Sequence, residues 1–178
     1  MSKTFRIVFI SILVSQALAL YTIESMIPIP FIAPGAKLGL TNLITVIALY
    51  SINNKHDVLL IIILRLLLST MFSGNLATFM YSTSGALLSY LIMIFVKAIG
   101  KDKISIIGVS ATGAFFHNVG QLIVASAVLQ NITIMLYLPI LSLSGIVTGI
   151  FIGITSNFVV KHLSKLHYFD NVNKQHIS

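Results

Sequence analysis

Apolar runs separated by brief polar punctuation fill almost the whole chain, at about 7–26, 38–52, 58–73, 76–96, 104–129 and 134–160. Charged residues make up only 8% of the 178 residues, and just four of them are acidic. A domain folded in water carries about 25% charge to solvate its surface. This chain cannot do so, and its solvent must be lipid. At about 20 apolar residues per crossing helix, six spans consume most of the length and leave only short loops and a tail over 161–178. The expected fold is an all-α integral membrane protein, a single domain of six transmembrane helices, with no room for a soluble catalytic domain.

The net charge of +7 is a topology signal rather than a nucleic-acid footprint. Alternating the loops between two sides places Lys3, Arg6, Lys55, Lys97, Lys101, Lys103, Lys161, Lys165 and Lys174 on one side, with Lys37 alone on the other. By the positive-inside rule, both termini are expected in the cytoplasm. Ala17-Leu18-Ala19 mimics a signal-peptidase site, but the apolar run continues to Ile27 and reads as the first span.

Ionisable groups inside hydrocarbon cost about 2.5–3.5 kcal/mol each on insertion scales, so each needs a partner or a task. Glu24 lies near the outer end of the first span and Lys37 opens the second. Arg65 interrupts an aliphatic third span, about 10 Å in from Val58 at 1.5 Å per residue. On the fifth span His117 and Gln121 share a stripe with Gly113, and Asn118 lies beside it. With Asn42 and Asn75, these residues all fall between midplane and outer face. They form either one polar cavity or a self-neutralising set in which Glu24 balances Arg65 or Lys37. In the cavity reading Lys37 and Arg65 hold an anionic group, the amides and His117 orient it, and Glu24 balances charge. The second span is short and opens with Pro and Gly, as broken transporter helices do when their backbone amides face an anionic ligand. An ordinary loop leading into a tilted helix is the alternative.

Gly145, Gly149 and Gly153 are spaced four apart in the last span, a face that lets another helix backbone approach closely. Packing within the chain is the simpler reading. Ser11, Ser15 and Ala19 form a milder stripe on the first span and are the candidate docking face for a partner subunit. No phosphate-binding Gly-x-x-x-x-Gly-Lys-Ser/Thr loop is present, the four acids are scattered, and the histidines lack zinc-ligand spacing. These features predict no catalytic centre, no metal, no cofactor and no enzyme activity of the chain's own.

Several segments together resemble a known family: Ile23-Glu24-Ser-Met-Ile-Pro-Ile-Pro30, Pro34-Gly-Ala-Lys37-Leu-Gly-Leu-Thr-Asn42, the third-span Arg65, His117-Asn-Val-Gly-Gln121 and Leu143-Ser-Gly-Ile-Val-Thr-Gly149. The family is the Gx transporter family, also labelled heptaprenyl diphosphate synthase component I. It is similar in turn to the substrate-binding S components of energy-coupling factor transporters. That resemblance implies a six-span subunit of a bacterial cytoplasmic membrane that captures a small anionic, vitamin- or precursor-like solute from outside. It also implies a transmembrane coupling subunit and two ATPases as partners, with Ser11, Ser15 and Ala19 matching the docking pattern of the first helix, though with Ser where Ala is usual. The second label implies a non-catalytic membrane subunit associated with polyprenyl diphosphate synthesis.

Overall fold

The computed structural model describes residues 3–26, 39–100 and 103–165. Among the described residues six α-helices follow one another: α1 Lys3–Ser25, α2 Asn42–Ser51, α3 Lys55–Ser73, α4 Leu76–Gly100, α5 Ile106–Val128 and α6 Leu138–Leu163, the last entered through a 3₁₀ helix at Ile132–Tyr137. Local chemistry sets the boundaries. The Asn54 side chain accepts from His56 N at the start of α3, and Ser105 accepts from Gly108 N at the start of α5. Gly74, at φ 61°, ends α3 in the left-handed conformation that glycine tolerates.

Four segments are long and apolar enough to cross a membrane: α1, α4, α5 and the 3₁₀–α6 unit Ile132–Leu163. The six expected helices are present in order, and the second, expected as a short span over 38–52, does not have the length of a span. α2 has 10 residues, or about 15 Å of helix against a hydrocarbon thickness of about 30 Å. The 19-residue α3 carries Lys55, Asp57 and Arg65 along its length. Large apolar side chains on the long helices, among them Ile7, Leu91, Phe95, Phe151 and Phe158, face outward, as lipid-facing side chains would.

The short helix is the centre of the bundle. Eight of its ten residues are buried, and it packs against all five other helices, so its apolar character runs around its whole circumference. Around it, α5 makes the most extensive contacts, lying antiparallel between α4 and α6. Both seams depend on glycine. On the α6 side, a Cβ on Gly149 would sit 2.7 Å from Ala111 Cα, and one on Gly153 2.6 Å from Ile107 Cα. Gly145 meets the amide of Asn118, and Ser110 Oγ donates to Gly149 O at 2.7 Å across the same seam. The glycine face thus packs within the chain. On the α4 side, Gly120 lies against the Ser84 backbone, and Ser84 Oγ donates to Gly120 O at 2.8 Å.

At one end of the bundle, polar ties join the starts of α1 and α3 to the ends of α2 and α4. Arg6 pairs with the buried Asp57, Tyr90 Oη donates to Lys55 O at 2.6 Å, and Lys97 Nζ donates to Leu49 O at 2.8 Å. Lys97 also lies 4.2 Å above the Tyr50 ring, so one ammonium caps the carbonyl end of α2 and stacks on its last turn. Arg6, Lys55 and Lys97, grouped on one side by the sequence, meet at this end; Lys101 and Lys174 lie outside the described residues.

Gly149→Leu should force α5 and α6 apart and destabilise the fold by about 2–3 kcal/mol. Phe151→Leu, on the outward face of the same helix, should stay within about 0.5 kcal/mol of the parent. Thermal unfolding in detergent, followed by circular dichroism, measures both.

Candidate functional site

A helix that starts in the middle of a bundle exposes its leading N–H groups to a medium that cannot solvate them. In α2 the preceding turn, with Gly39 at φ +86°, answers part of this: Asn42, Leu43 and Ile44 N–H donate to Gly39, Leu40 and Thr41 carbonyls. The N–H groups of Gly39 and Leu40 then need an acceptor of their own. Both donate to Glu24 Oε1, a carboxylate only 2% exposed at the end of α1. The backbone amides expected to face a ligand are thus held by a side chain of this chain. Glu24 caps the head of α2 as well as contributing negative charge.

Arg65 sits midway along α3 and is 5% exposed, too deep to reach water with its guanidinium. Its Nη1 donates to Thr41 Oγ1 at 2.6 Å, in the turn that Glu24 caps, and Glu24 lies close enough for charge–charge interaction. Arg65 Nε and Nη2 are buried without a hydrogen-bond partner. A desolvated N–H without an acceptor costs about 1–3 kcal/mol, and more on a charged group. Two on one guanidinium require an explanation.

Around these groups is a cavity lined by Tyr21 and Glu24 of α1, Gly39 and Thr41 of the turn before α2, Arg65, Leu66 and Ser69 of α3, Ser82 of α4, and His117 of α5. It has room for about one water molecule. Asn42, Gly39 and His117 converge beside it. A Cβ built on Gly39 would lie 3.0 Å from Asn42 Nδ2 and 3.1 Å from the imidazole edge of His117, so only glycine leaves that point open. The Asn42 side chain is 3% exposed with neither Oδ1 nor Nδ2 partnered, and His117 Nδ1 is likewise buried without a hydrogen bond.

The residues singled out from the sequence divide sharply. Glu24, Asn42, Arg65 and His117 come together. Gln121 is buried one turn from His117, its Cγ against Gly85, so the Gly113–His117–Gln121 stripe faces α4 and only His117 reaches the cavity. Asn118 points the other way, its Nδ2 donating to Leu141 O at 2.7 Å and tying α5 to α6. Asn75 is exposed, and its Oδ1 accepts from Thr78 N as the cap of α4, remote from the cavity in role. Lys37 lies outside the described residues. Ser11, Ser15 and Ala19 are exposed along one face of α1, with Ser11 and Ser15 hydroxyls bonded back to Ile7 and Ser11 carbonyls.

The site was expected from the first three spans and the fifth; α4 also contributes, through Ser82. Thr41, Ser69 and Ser82 were not singled out as site residues. Ser69 was within reach of the sequence, since it lies one turn beyond Arg65 on the same face. Among the described residues no group of three or more His, Asp or Glu side chains could hold a metal ion.

Glu24→Ala would leave the Gly39 and Leu40 amides and the Arg65 charge uncompensated, and should cost about 3–5 kcal/mol of stability. Glu24→Gln keeps one acceptor for those amides and should cost distinctly less. Thermal unfolding of the two variants in the same detergent checks the order; equal losses would show that the carboxylate's hydrogen bonds contribute little beyond its charge.

No curated protein and no solved structure matches the chain. Residues 13–159 match the model of the family described as heptaprenyl diphosphate synthase component I, a stretch running from the middle of α1 nearly to the end of α6, and the chain belongs to that family.

Proposed function

We propose that the chain is a membrane-embedded capture subunit, which takes a small anionic solute into the Arg65 cavity and delivers it together with partner proteins. The observation that carries this reading is a buried guanidinium with one nitrogen fixed by Thr41 and two left unpartnered, in a cavity to which four helices and the turn before α2 contribute. A scaffold arginine would have its donors satisfied, as Asn118 and Ser110 do in the α5–α6 seam. The cavity has room for about one water molecule, so binding requires its lining to move.

The motifs resemble the Gx transporter family, which is similar in turn to the S components of energy-coupling factor transporters, and this suggests the partners: a transmembrane coupling subunit and two ATPases. The exposed Ser11, Ser15 and Ala19 face of α1 is suited to close helix contact with such a subunit. The positive-inside count supports cytoplasmic termini, and the resemblance implies capture from the outer side of a bacterial cytoplasmic membrane. The chain itself is proposed to be non-catalytic.

The family's description favours a second reading, a membrane component that works with a prenyl diphosphate synthase. In that role too the chain would be an accessory. Glu24 is engaged by the head of α2 and Asp57 by Arg6 at the opposite end of the bundle, so these two carboxylates cannot jointly hold a magnesium diphosphate.

Gentle purification followed by mass spectrometry of the released small molecules should recover an anionic solute, and Arg65→Ala or Lys37→Ala should reduce its retention at least tenfold. Unchanged retention would remove the anion site. Co-purification separates the two readings: ATPases support the importer, a soluble synthase the accessory role. Ser15→Leu should lower partner recovery without altering the melting temperature, and full recovery would exclude α1 as the docking face.

A further inference from the structure

The pattern of satisfied and unsatisfied donors narrows the chemistry of the occupant. With Nη1 of Arg65 engaged by Thr41, the guanidinium cannot turn freely, and its two unpartnered nitrogens, Nε and Nη2, are the pair that share one edge. Their N–H bonds run parallel at the spacing of the two oxygens of a carboxylate, which can accept both at once. Beside Thr41, the Asn42 amide is buried with both its donor and its acceptor unused. A simple carboxylate offers acceptors only and would leave Asn42 Oδ1 without a donor. The full complement is a ligand that brings an acceptor pair to Arg65 and an adjoining donor–acceptor edge to Asn42. Glu24 already sets one negative charge near Arg65, which disfavours the two or three further charges of a diphosphate on the same guanidinium.

We propose that Arg65 binds a planar carboxylate side-on through Nε and Nη2 while Asn42 reads an amide-type edge of the same molecule, so that the solute is a small carboxylate bearing an amide, ureido or lactam group. This inference rests on the capture reading of the same cavity and specifies its ligand class.

The test uses the full-length protein in nanodiscs and four probes: N-acetylglycinate, N-acetylglycinamide, acetate and inorganic pyrophosphate, each titrated by ligand-observed NMR. N-acetylglycinate should bind at least tenfold more tightly than each of the other three. Arg65→Lys, which keeps the charge and loses the fork, should weaken it at least tenfold. Asn42→Leu should erase its advantage over acetate. The ranking of probes on the unsubstituted protein decides the matter even where a variant fails to fold. Pyrophosphate binding as tightly as N-acetylglycinate, with the same dependence on Arg65, would overturn the carboxylate assignment and leave anion capture standing. If no probe shows Arg65-dependent binding, the carboxylate assignment is overturned; recovery of an Arg65-dependent solute by mass spectrometry then decides separately whether the capture reading survives.

Discussion

The carboxylate of Glu24 on the amides of Gly39 and Leu40 is the contact on which the interior is organised. A ten-residue helix surrounded by five others cannot take its caps from water, and lipid offers none. The anion at its head must come from the protein, and the end of α1 supplies it. Once that carboxylate is buried, a cation nearby lowers its cost, and Arg65 provides the cation from the middle of α3. Thr41 closes the set by binding Arg65 from the turn that Glu24 caps. The other end of α2 is handled with the opposite sign, by Lys97 on the Leu49 carbonyl. A central helix too short to cross the bilayer is thus held at both ends by side chains from its neighbours.

The surrounding helices are held together by different means. Between apolar helices in lipid there is little hydrophobic drive, so close backbone approach and interhelical hydrogen bonds must serve. The α4–α5–α6 layer uses both, with glycines at the crossings and Ser84 and Ser110 bonding to carbonyls opposite. This rigid layer presents His117 to the cavity, and Gly85 leaves room for the imidazole against α4.

Among the buried amides and guanidinium groups, scaffold and site are distinguished by hydrogen-bond satisfaction, although single hydroxyls such as Ser89 and Ser156 lack partners elsewhere in the bundle. Asn118 and Asn42 are equally buried amides, yet the first is spent on Leu141 O and the second has nothing. Arg6 and Arg65 each have an anion at hand, yet Arg6 is half exposed beside Asp57 while Arg65 keeps two nitrogens idle in the interior. Asn42 and His117 meet at Gly39, and Arg65 lines the same cavity as Gly39 and His117; that gathering, not the presence of charge in the membrane, sets the site apart.

Much of this was legible in the residues. Composition and run length determined a helical protein built for lipid, because a chain with so few charges has no other solvent. Isolated ionisable residues in apolar runs singled out Glu24 and Arg65, because each is too costly to keep without a reason. Helical periodicity placed Gly145, Gly149 and Gly153 on one face. Tertiary structure alone decided which of the polar residues meet. His117 and Asn118 are adjacent on α5 and point to different helices, a difference of about 100° of helical rotation that has no meaning until α4 and α6 are in place. Asn75 and Asn42 looked equivalent as amides near helix starts, but one caps the exposed start of α4 and the other is enclosed at the head of α2. That α2 is a short buried helix rather than a span also depended on its neighbours, since an apolar run reads alike whether lipid or protein surrounds it.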